Sequence, residues 1–222
     1  MIFDLIRNGL SFELIINLMV RIFVIFCVLP IHEFAHAFIA HKLGDDTARL
    51  KGRMTINPLA HIDPFGALMI IIGGFGYAKA VPVNIRNFKK RKPYMAITAL
   101  AGPVSNIIMS IFFMFFTMLI QYKIGLSSDS GILYNVAVFL MTAAQINISL
   151  AVFNLLPIPP LDGSRIFSLI IPDKYYYGIM QYERYIMIGL FVLLFTGILS
   201  TPLSYLSMLI SNLIYSITSL PF

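Results

Sequence analysis

Long apolar runs recur along this sequence, and they restrict the chain to folds that a lipid bilayer can hold. Of the 222 residues, 59% are hydrophobic and 12% are charged, whereas a soluble domain is about half apolar and a quarter charged. One membrane span takes about 20 apolar residues. The length therefore predicts a single membrane domain over residues 1–222, without a second soluble domain of ordinary size.

The apolar runs predict an all-α polytopic membrane protein with about five or six transmembrane helices. The first run extends from Phe12 to Leu43 and contains Pro30. It forms either one kinked helix or two helices that meet at the proline, because proline fits the first turn of a helix but disrupts its interior. Later spans are predicted at about Pro93 to Tyr122, Ile132 to Leu156, Tyr185 to Leu199 and Leu203 to Leu220.

Glycines interrupt the apolar run from Ala67 to Ala80, at Gly73, Gly74 and Gly76. Because glycine is a poor helix former, this run predicts a small membrane-associated β or re-entrant segment. Irregular backbone at membrane depth must lie against protein or water. An ordinary short span is the alternative for a run of this apolar length.

The basic residues indicate which way the chain crosses the membrane. The net charge is +6, and ten of the sixteen Lys and Arg residues lie between Lys42 and Lys92. The positive-inside rule places that connection in the cytoplasm, so we expect a multi-pass protein of the cell membrane and no nucleic-acid binding. His36 precedes Leu43 by seven residues and is therefore predicted about 10 Å from the cytoplasmic side. No cleavable signal is expected from Met1 to Phe12.

The segment from His32 to His36 reads H-E-F-A-H and lies inside the first apolar run. Histidines at i and i+4 share one helix face and can bind one zinc ion, while Glu33 is offset and can act as a general base. Ionisable residues in a membrane helix are costly and usually functional. The alternative is a kinked helix in which a histidine bonds a neighbour. Cys27 is the only cysteine, so histidines and carboxylates must hold any metal.

A catalytic zinc usually has three protein ligands, so a third donor must come from another segment. Asp162 follows a proline-rich helix end and precedes Gly163, a context that can hold a carboxylate rigidly; the alternative is that Asp162 caps a following helix. His61 and Asp63, in a polar turn, are the other candidates for the third ligand. His41 is predicted to be a solvated residue near the membrane surface.

Together, H-E-F-A-H and the later N-L-L-P-I-P-P-L-D-G resemble the site-2 protease family, in particular its small bacterial-type members. The likeness extends in order from roughly Pro30 to Arg165. Tyr77 and Ala80 stand where tryptophan and proline are expected in close relatives. Further matching segments are Arg53 to Gly66, Gly74 to Lys79 and Ala101 to Asn106.

This resemblance implies one zinc ion per chain, held by His32, His36 and Asp162, with Glu33 activating water. It implies cleavage of substrate proteins within their transmembrane segments, in the lipid bilayer. It also implies that the glycine-rich run forms membrane-embedded strands, which receive an unwound substrate as an added strand.

Asn154 is the predicted oxyanion-stabilising residue, because an amide side chain near the Asp162 turn can donate to developing charge. Asn147 shares a helix face with it, seven residues earlier, and interhelical hydrogen bonding is the alternative role for both. Asn106 is interpreted as a packing residue.

Other functional classes fit the sequence less well. A metal transporter or channel needs polar residues along several spans, yet the later spans contain almost no ionisable groups. A zinc protease with a glutamate as third ligand would need Glu13 or Glu183, and neither is well placed. An inactive scaffold is disfavoured because the metal and base residues are all present. The substrate and the oligomeric state are not predicted.

Overall fold

The computed structural model describes residues 12–73, 76–124 and 131–220, and within these ranges the chain is helical with no β-strand. The prediction of an all-α protein is confirmed for these ranges. A π-helical turn, Val24–Val28, joins the first two helices, and 3-10 turns occur at Pro58–Ala60 and Ile85–Asn87. The helices are α1 (Phe12–Phe23), α2 (Leu29–Lys42), α3 (Thr47–Leu50), α4 (Pro64–Gly73), α5 (Arg91–Ile124), α6 (Gly131–Asn154), α7 (Asp162–Phe167), α8 (Asp173–Met180), α9 (Glu183–Phe195) and α10 (Ser200–Ser219).

The first apolar run forms one continuous helix of 29 residues, Leu14–Lys42. Its π-turn ends just before Pro30, which occupies the first turn of α2. Proline has no N–H and crowds the carbonyl four residues earlier, and the wider π-turn accommodates both effects. Of the two predicted possibilities, the structure shows the single helix. Such π-turns frequently lie next to functional sites.

Three helices are long and apolar enough to cross a membrane: Leu14–Lys42, Arg91–Lys123 and Gly131–Asn154. The pair α8 and α9, bent by 65°, would make a fourth span if it crosses as a unit. The predicted spans near Pro93 and Ile132 are thus present as α5 and α6. Serine and threonine side chains make α10 more polar than these three helices.

The main core lies where α1, the π-turn, α5 and α6 pack together. Val20, Val28, Met114 and Ile148 are completely buried there. Many large apolar side chains elsewhere are exposed, for example Phe26 at 47% and Ile108 at 62%. Exposed apolar side chains around a packed core are expected for a protein that is surrounded by lipid.

The glycine-broken run does not fold as predicted over its first half. Helix α4 extends to Gly73, so the expectation of a poor helix from Ala67 is wrong up to that residue. The glycines cluster at the end of this helix and leave its interior intact. At its start, the backbone N–H of Gly66 donates to Asp63 Oδ1 at 2.9 Å. Gly74 lies outside the described residues.

Residues 76–83, which we call the crossing segment, have no regular structure and run across α2. Lys79 N–H donates to the His61 carbonyl at 2.8 Å, and Arg53 donates to the Lys79 carbonyl at 2.5 Å. The segment approaches α4 closely at Gly76, where a Cβ would overlap the Gly66 carbonyl oxygen. The predicted β character of this run is not seen in the part that the structure describes.

Asp45 joins the end of the first helix to the chain that follows the crossing segment. Its carboxylate is completely buried and accepts from Asn84 N–H and Asn87 Nδ2 at 2.7 Å each, and from Thr47. Burial raises the pKa of Asp45, but these hydrogen bonds outweigh it and hold the pKa below its usual value. The charged form of Asp45 therefore stabilises this junction.

Candidate metal centre

His32 and His36 lie about one turn apart on the same face of α2, as the i, i+4 spacing predicts. Both side chains are buried, at 5% and 7% exposure. The Nε2 atoms of the two rings lie 3.1 Å apart. Burying two imidazole nitrogens without a hydrogen-bond or metal partner is unfavourable. Because the two Nε2 atoms are so close, one partner can satisfy both.

Asp162 reaches the same point from a distant part of the chain. Helix α6 ends at Asn154, a proline-containing turn follows, and Asp162 is the first residue of α7. A Cβ at Gly163 would overlap the carbonyl oxygens of Leu155 and Leu156. Glycine at this position thus allows α7 to begin directly against the end of α6. This tight turn directs the carboxylate toward α2.

The three side chains form a compact triangle of ligand atoms. Asp162 Oδ2 lies 3.3 Å from His32 Nε2 and 3.2 Å from His36 Nε2. Atoms bound to one tetrahedral zinc at about 2.0–2.1 Å lie roughly 3.3–3.4 Å from one another. The observed separations of 3.1, 3.2 and 3.3 Å therefore fit a common zinc ion. Among the described residues, this is the one group of three His, Cys, Asp or Glu side chains whose ligand atoms lie close enough to hold a common metal ion.

The carbonyl of Thr98 on α5 orients one of the rings. His36 Nδ1 lies 2.8 Å from the Thr98 oxygen. A carbonyl only accepts, so Nδ1 carries the proton and Nε2 presents its lone pair to the triangle. A hydrogen bond of this kind fixes the tautomer of metal-binding histidines in general. His32 Nδ1 has no such partner among the described residues.

Gly102, also on α5, leaves the space into which both rings point. A Cβ at this position would overlap His36 Nε2 and would lie 2.5 Å from His32 Nε2. Any larger residue would fill the place where the ligand atoms converge. Nothing in the surrounding A-G-P-V-S-N segment of the sequence shows that Gly102 faces α2.

Glu33 is held at the edge of the triangle by the crossing segment. Its Oε2 accepts the backbone N–H of Val81 at 2.8 Å, and the side chain is 7% exposed. With one oxygen fixed in this way, the other is free to face the cavity in front of the histidines. The contact was not predicted, since 48 residues separate the two partners.

A cavity of about 220 Å³ opens in front of the triangle. Its wall includes Asn154, whose Nδ2 donates to the Leu150 carbonyl at 3.0 Å. Arg165, one turn after Asp162, also lines the cavity and was not predicted from the sequence. Asn147 is fully buried and donates to the Ala143 carbonyl, away from this wall.

The other candidates for the third ligand have different partners. His61 Nε2 lies 2.8 Å from the Thr55 carbonyl, and Asp63 caps α4. His41 pairs with Asp46 at 2.5 Å near the end of the first helix. Neither His61 nor Asp63 belongs to the triangle, so Asp162 is the carboxylate that the geometry favours.

A largely buried His-His-Asp triangle, with a glutamate beside it, in a bundle of membrane-length helices is the arrangement expected of a membrane metalloenzyme. Comparison with known proteins gives the same class: the model of peptidase family M50 matches residues 124–197, which include the Asp162 turn. The chain belongs to this family, the site-2 proteases, and is a zinc metalloprotease.

Three relatives illustrate the match. Putative zinc metalloprotease YwhC of Bacillus subtilis (strain 168) is 42% identical over 165 residues, 74% of this chain and 75% of the relative. Putative zinc metalloprotease Rip2 of Mycolicibacterium smegmatis is 30% identical over 140 residues, 61% of this chain and 51% of that protein. Putative zinc metalloprotease MJ0611 of Methanocaldococcus jannaschii is 31% identical over 140 residues, covering 62% and 63%. No solved structure matches the chain significantly.

Proposed function

We propose that this protein is an intramembrane zinc endopeptidase, which hydrolyses peptide bonds in or near the transmembrane segments of other membrane proteins. The observation that carries the proposal is the triangle of His32, His36 and Asp162 beside Glu33. Both histidines and Glu33 lie in a helix long enough to span the membrane. Ionisable residues within a membrane-spanning helix are energetically costly, so their presence there favours catalysis within the membrane.

In this proposal each chain binds one zinc ion through His32 Nε2, His36 Nε2 and Asp162 Oδ2. When bound, zinc supplies a Lewis acid that lowers the pKa of water and polarises a carbonyl. The Thr98 carbonyl keeps His36 in the tautomer that binding requires. Gly102 keeps the space between the two rings open.

Glu33 acts as the general base and then as the general acid. It accepts a proton from the attacking water and delivers it to the nitrogen of the leaving amine. Its contact with Val81 N–H holds one carboxylate oxygen in place. The carboxylate therefore keeps its direction toward the cavity during both proton transfers.

Asn154 is the proposed oxyanion-stabilising residue. Its position on the cavity wall supports this role. One N–H of its amide donates to Leu150, and the second remains available for the carbonyl oxygen of a substrate. Asn147 lies off the wall and is not included in the proposal.

Substrate access is proposed along the crossing segment, which lines the cavity from Gly76 to Val83. A helical substrate hides its carbonyls, so it must unwind locally before a peptide bond can reach Glu33, and the irregular backbone of this segment can pair with the exposed strand. About five or six spans, including α9 and α10, enclose the site in this account. The centre lies nearer the cytoplasmic side, where the Lys- and Arg-rich connection is located.

The proposal is tested with purified protein and a model single-span substrate in detergent micelles. Wild type is expected to cut the substrate within or next to its apolar segment, as located by mass spectrometry. Glu33→Gln is expected to keep its zinc and to lose turnover, because the amide cannot accept the proton. Cleavage only of soluble peptides by wild type, or full turnover by Glu33→Gln, would contradict the proposal.

A further inference from the structure

A second cavity, of about 480 Å³, adjoins the one in front of the metal centre. The two cavities have five wall residues in common: Leu29, Gly76, Leu150, Phe153 and Leu194. The second cavity extends from these residues along α1, where Asn17 and Arg21 lie in its wall, Arg21 in the last turn of that helix. A chain bound in front of the triangle can therefore continue into it.

Arg21 is a cation within a membrane-length helix, and it has no carboxylate partner among the described residues. One of its terminal nitrogens, Nη1, donates to the carbonyls of Ile70 and Ile71 at 2.9 Å each. These bonds satisfy the C-terminal end of α4, where carbonyls lack helical partners. They use two of the five N–H groups of the guanidinium. The other three make no hydrogen bond to the described part of the chain.

The rest of the wall suits an anion. None of the residues lining the second cavity carries a carboxylate. Ser149 and Ser207 add hydroxyl groups to the wall, and a hydroxyl can donate to the same acceptor as the guanidinium. An apolar ligand would leave the cation unpaired, and a cationic ligand would be repelled. A carboxylate is the planar acceptor that a guanidinium binds best.

We propose that this second cavity is a substrate subsite in which Arg21 binds a carboxylate side chain, aspartate or glutamate, of the transmembrane segment being cleaved. This inference rests on the proposed function and adds a sequence preference to it. Ionisable residues within membrane spans usually have a specific partner. Here the substrate provides the partner that the described chain does not.

The helix fixes how far this carboxylate lies from the scissile bond. Arg21 precedes His32 by eleven residues, which corresponds to about 16 Å along the helix axis. An extended substrate covers about 3.3 Å per residue. The preferred acidic residue is therefore expected about four to six positions from the cut, because side-chain reach changes the spacing by about one residue.

The test uses a single-span substrate with an amidated C-terminus, with protein and substrate reconstituted in phosphatidylcholine vesicles. Glutamate and glutamine are compared at each of the positions four to six residues before and after the cut. We expect glutamate at one of these positions to raise kcat/KM about tenfold to a hundredfold over glutamine, the range for hydrogen bonds to a charged group.

Variants then identify the residue responsible. Arg21→Gln is expected to abolish the glutamate preference, and Arg21→Lys to retain part of it because the charge remains. Ser149→Ala, a small change that removes one hydroxyl, should reduce the preference by about threefold. Arg86→Gln is the matched control, since Arg86 is exposed and outside both cavities, and the preference should be unchanged. Zinc content measured for each variant verifies that the centre has formed.

Three results would overturn the inference. If wild type cleaves the glutamate and glutamine substrates equally at every position, the proposed function stands and the subsite is wrong. If Arg21→Gln contains zinc and keeps the full preference, another residue binds the carboxylate. If phosphatidylglycerol stabilises wild type but not Arg21→Gln, and glutamate has no effect, the cavity binds a lipid phosphate. Absence of cleavage by wild type would instead contradict the proposed function itself.

Discussion

Substitution of Gly102 by alanine separates metal binding from folding. The added Cβ would overlap His36 Nε2 and lie 2.5 Å from His32 Nε2. Both clashing atoms are at the ends of imidazole rings, so the metal-free protein can relieve the clash by rotating the rings. Rotated rings no longer converge on one point. The variant should therefore fold, but bind zinc weakly.

The substitution is expected to weaken zinc binding but to stabilise the helix that carries it. Disturbing the surroundings of metal ligands lowers metal affinity about 10- to 100-fold, or about 1.4–2.7 kcal/mol. In contrast, replacing glycine by alanine inside a helix stabilises it by up to about 1 kcal/mol. We expect Gly102→Ala to lose at least tenfold in zinc affinity while the thermal unfolding of the metal-free protein is unchanged or shifted slightly upward.

The assay is zinc content after equilibration against a zinc buffer, together with thermal unfolding in detergent with and without zinc. Gly189→Ala in α9 is the matched control, because a Cβ there meets no atom within 4 Å and should leave zinc affinity unchanged. Zinc affinity of Gly102→Ala equal to that of wild type would refute the placement of α5 against the two histidines.

Three further perturbations test the supports of the site. Gly163→Ala should overlap the Leu155 carbonyl, shift α7 and lower zinc affinity more than tenfold; a zinc titration like that of wild type would contradict this. Asp45→Asn should destabilise the protein by about 1–3 kcal/mol at neutral pH. Because the folded pKa of Asp45 lies below its unfolded value, this difference should be full above about pH 4 and shrink as the pH falls further, as unfolding measured against pH will show. Val81→Pro removes the N–H that holds Glu33 and should lower kcat about 10- to 100-fold with zinc content unchanged, whereas Val81→Ala keeps that N–H and most of the activity.

Features that depend only on the local period of a helix could be predicted from the sequence. The i, i+4 spacing of His32 and His36 places them on one face of any helix, and the structure shows them there. The proline-rich turn before Asp162 and the glycine after it predicted a rigidly held carboxylate at that position. Its assignment as the third ligand remains a proposal, supported by its distances to both histidines.

Other supports could not be predicted, because they depend on how helices lie against each other. Thr98 and Gly102 face α2 only because α5 packs along it, and nothing in their own sequence indicates that orientation. Asp45 lies in a polar stretch of the sequence, yet it is completely buried and accepts hydrogen bonds from residues about forty positions later. A poor helix was predicted from Ala67, but the residues up to Gly73 are helical because Gly73 and Gly76 lie at and beyond the end of α4 and not in its interior.

Whether Asp162 is the third zinc ligand is tested by the zinc stoichiometry of purified wild type, Asp162→Ala and Asp63→Ala, determined by elemental analysis after dialysis. We expect about one zinc per chain in wild type and in Asp63→Ala, and loss of zinc in Asp162→Ala. Zinc retained at the wild-type level by Asp162→Ala, or absent from wild type, would contradict this assignment.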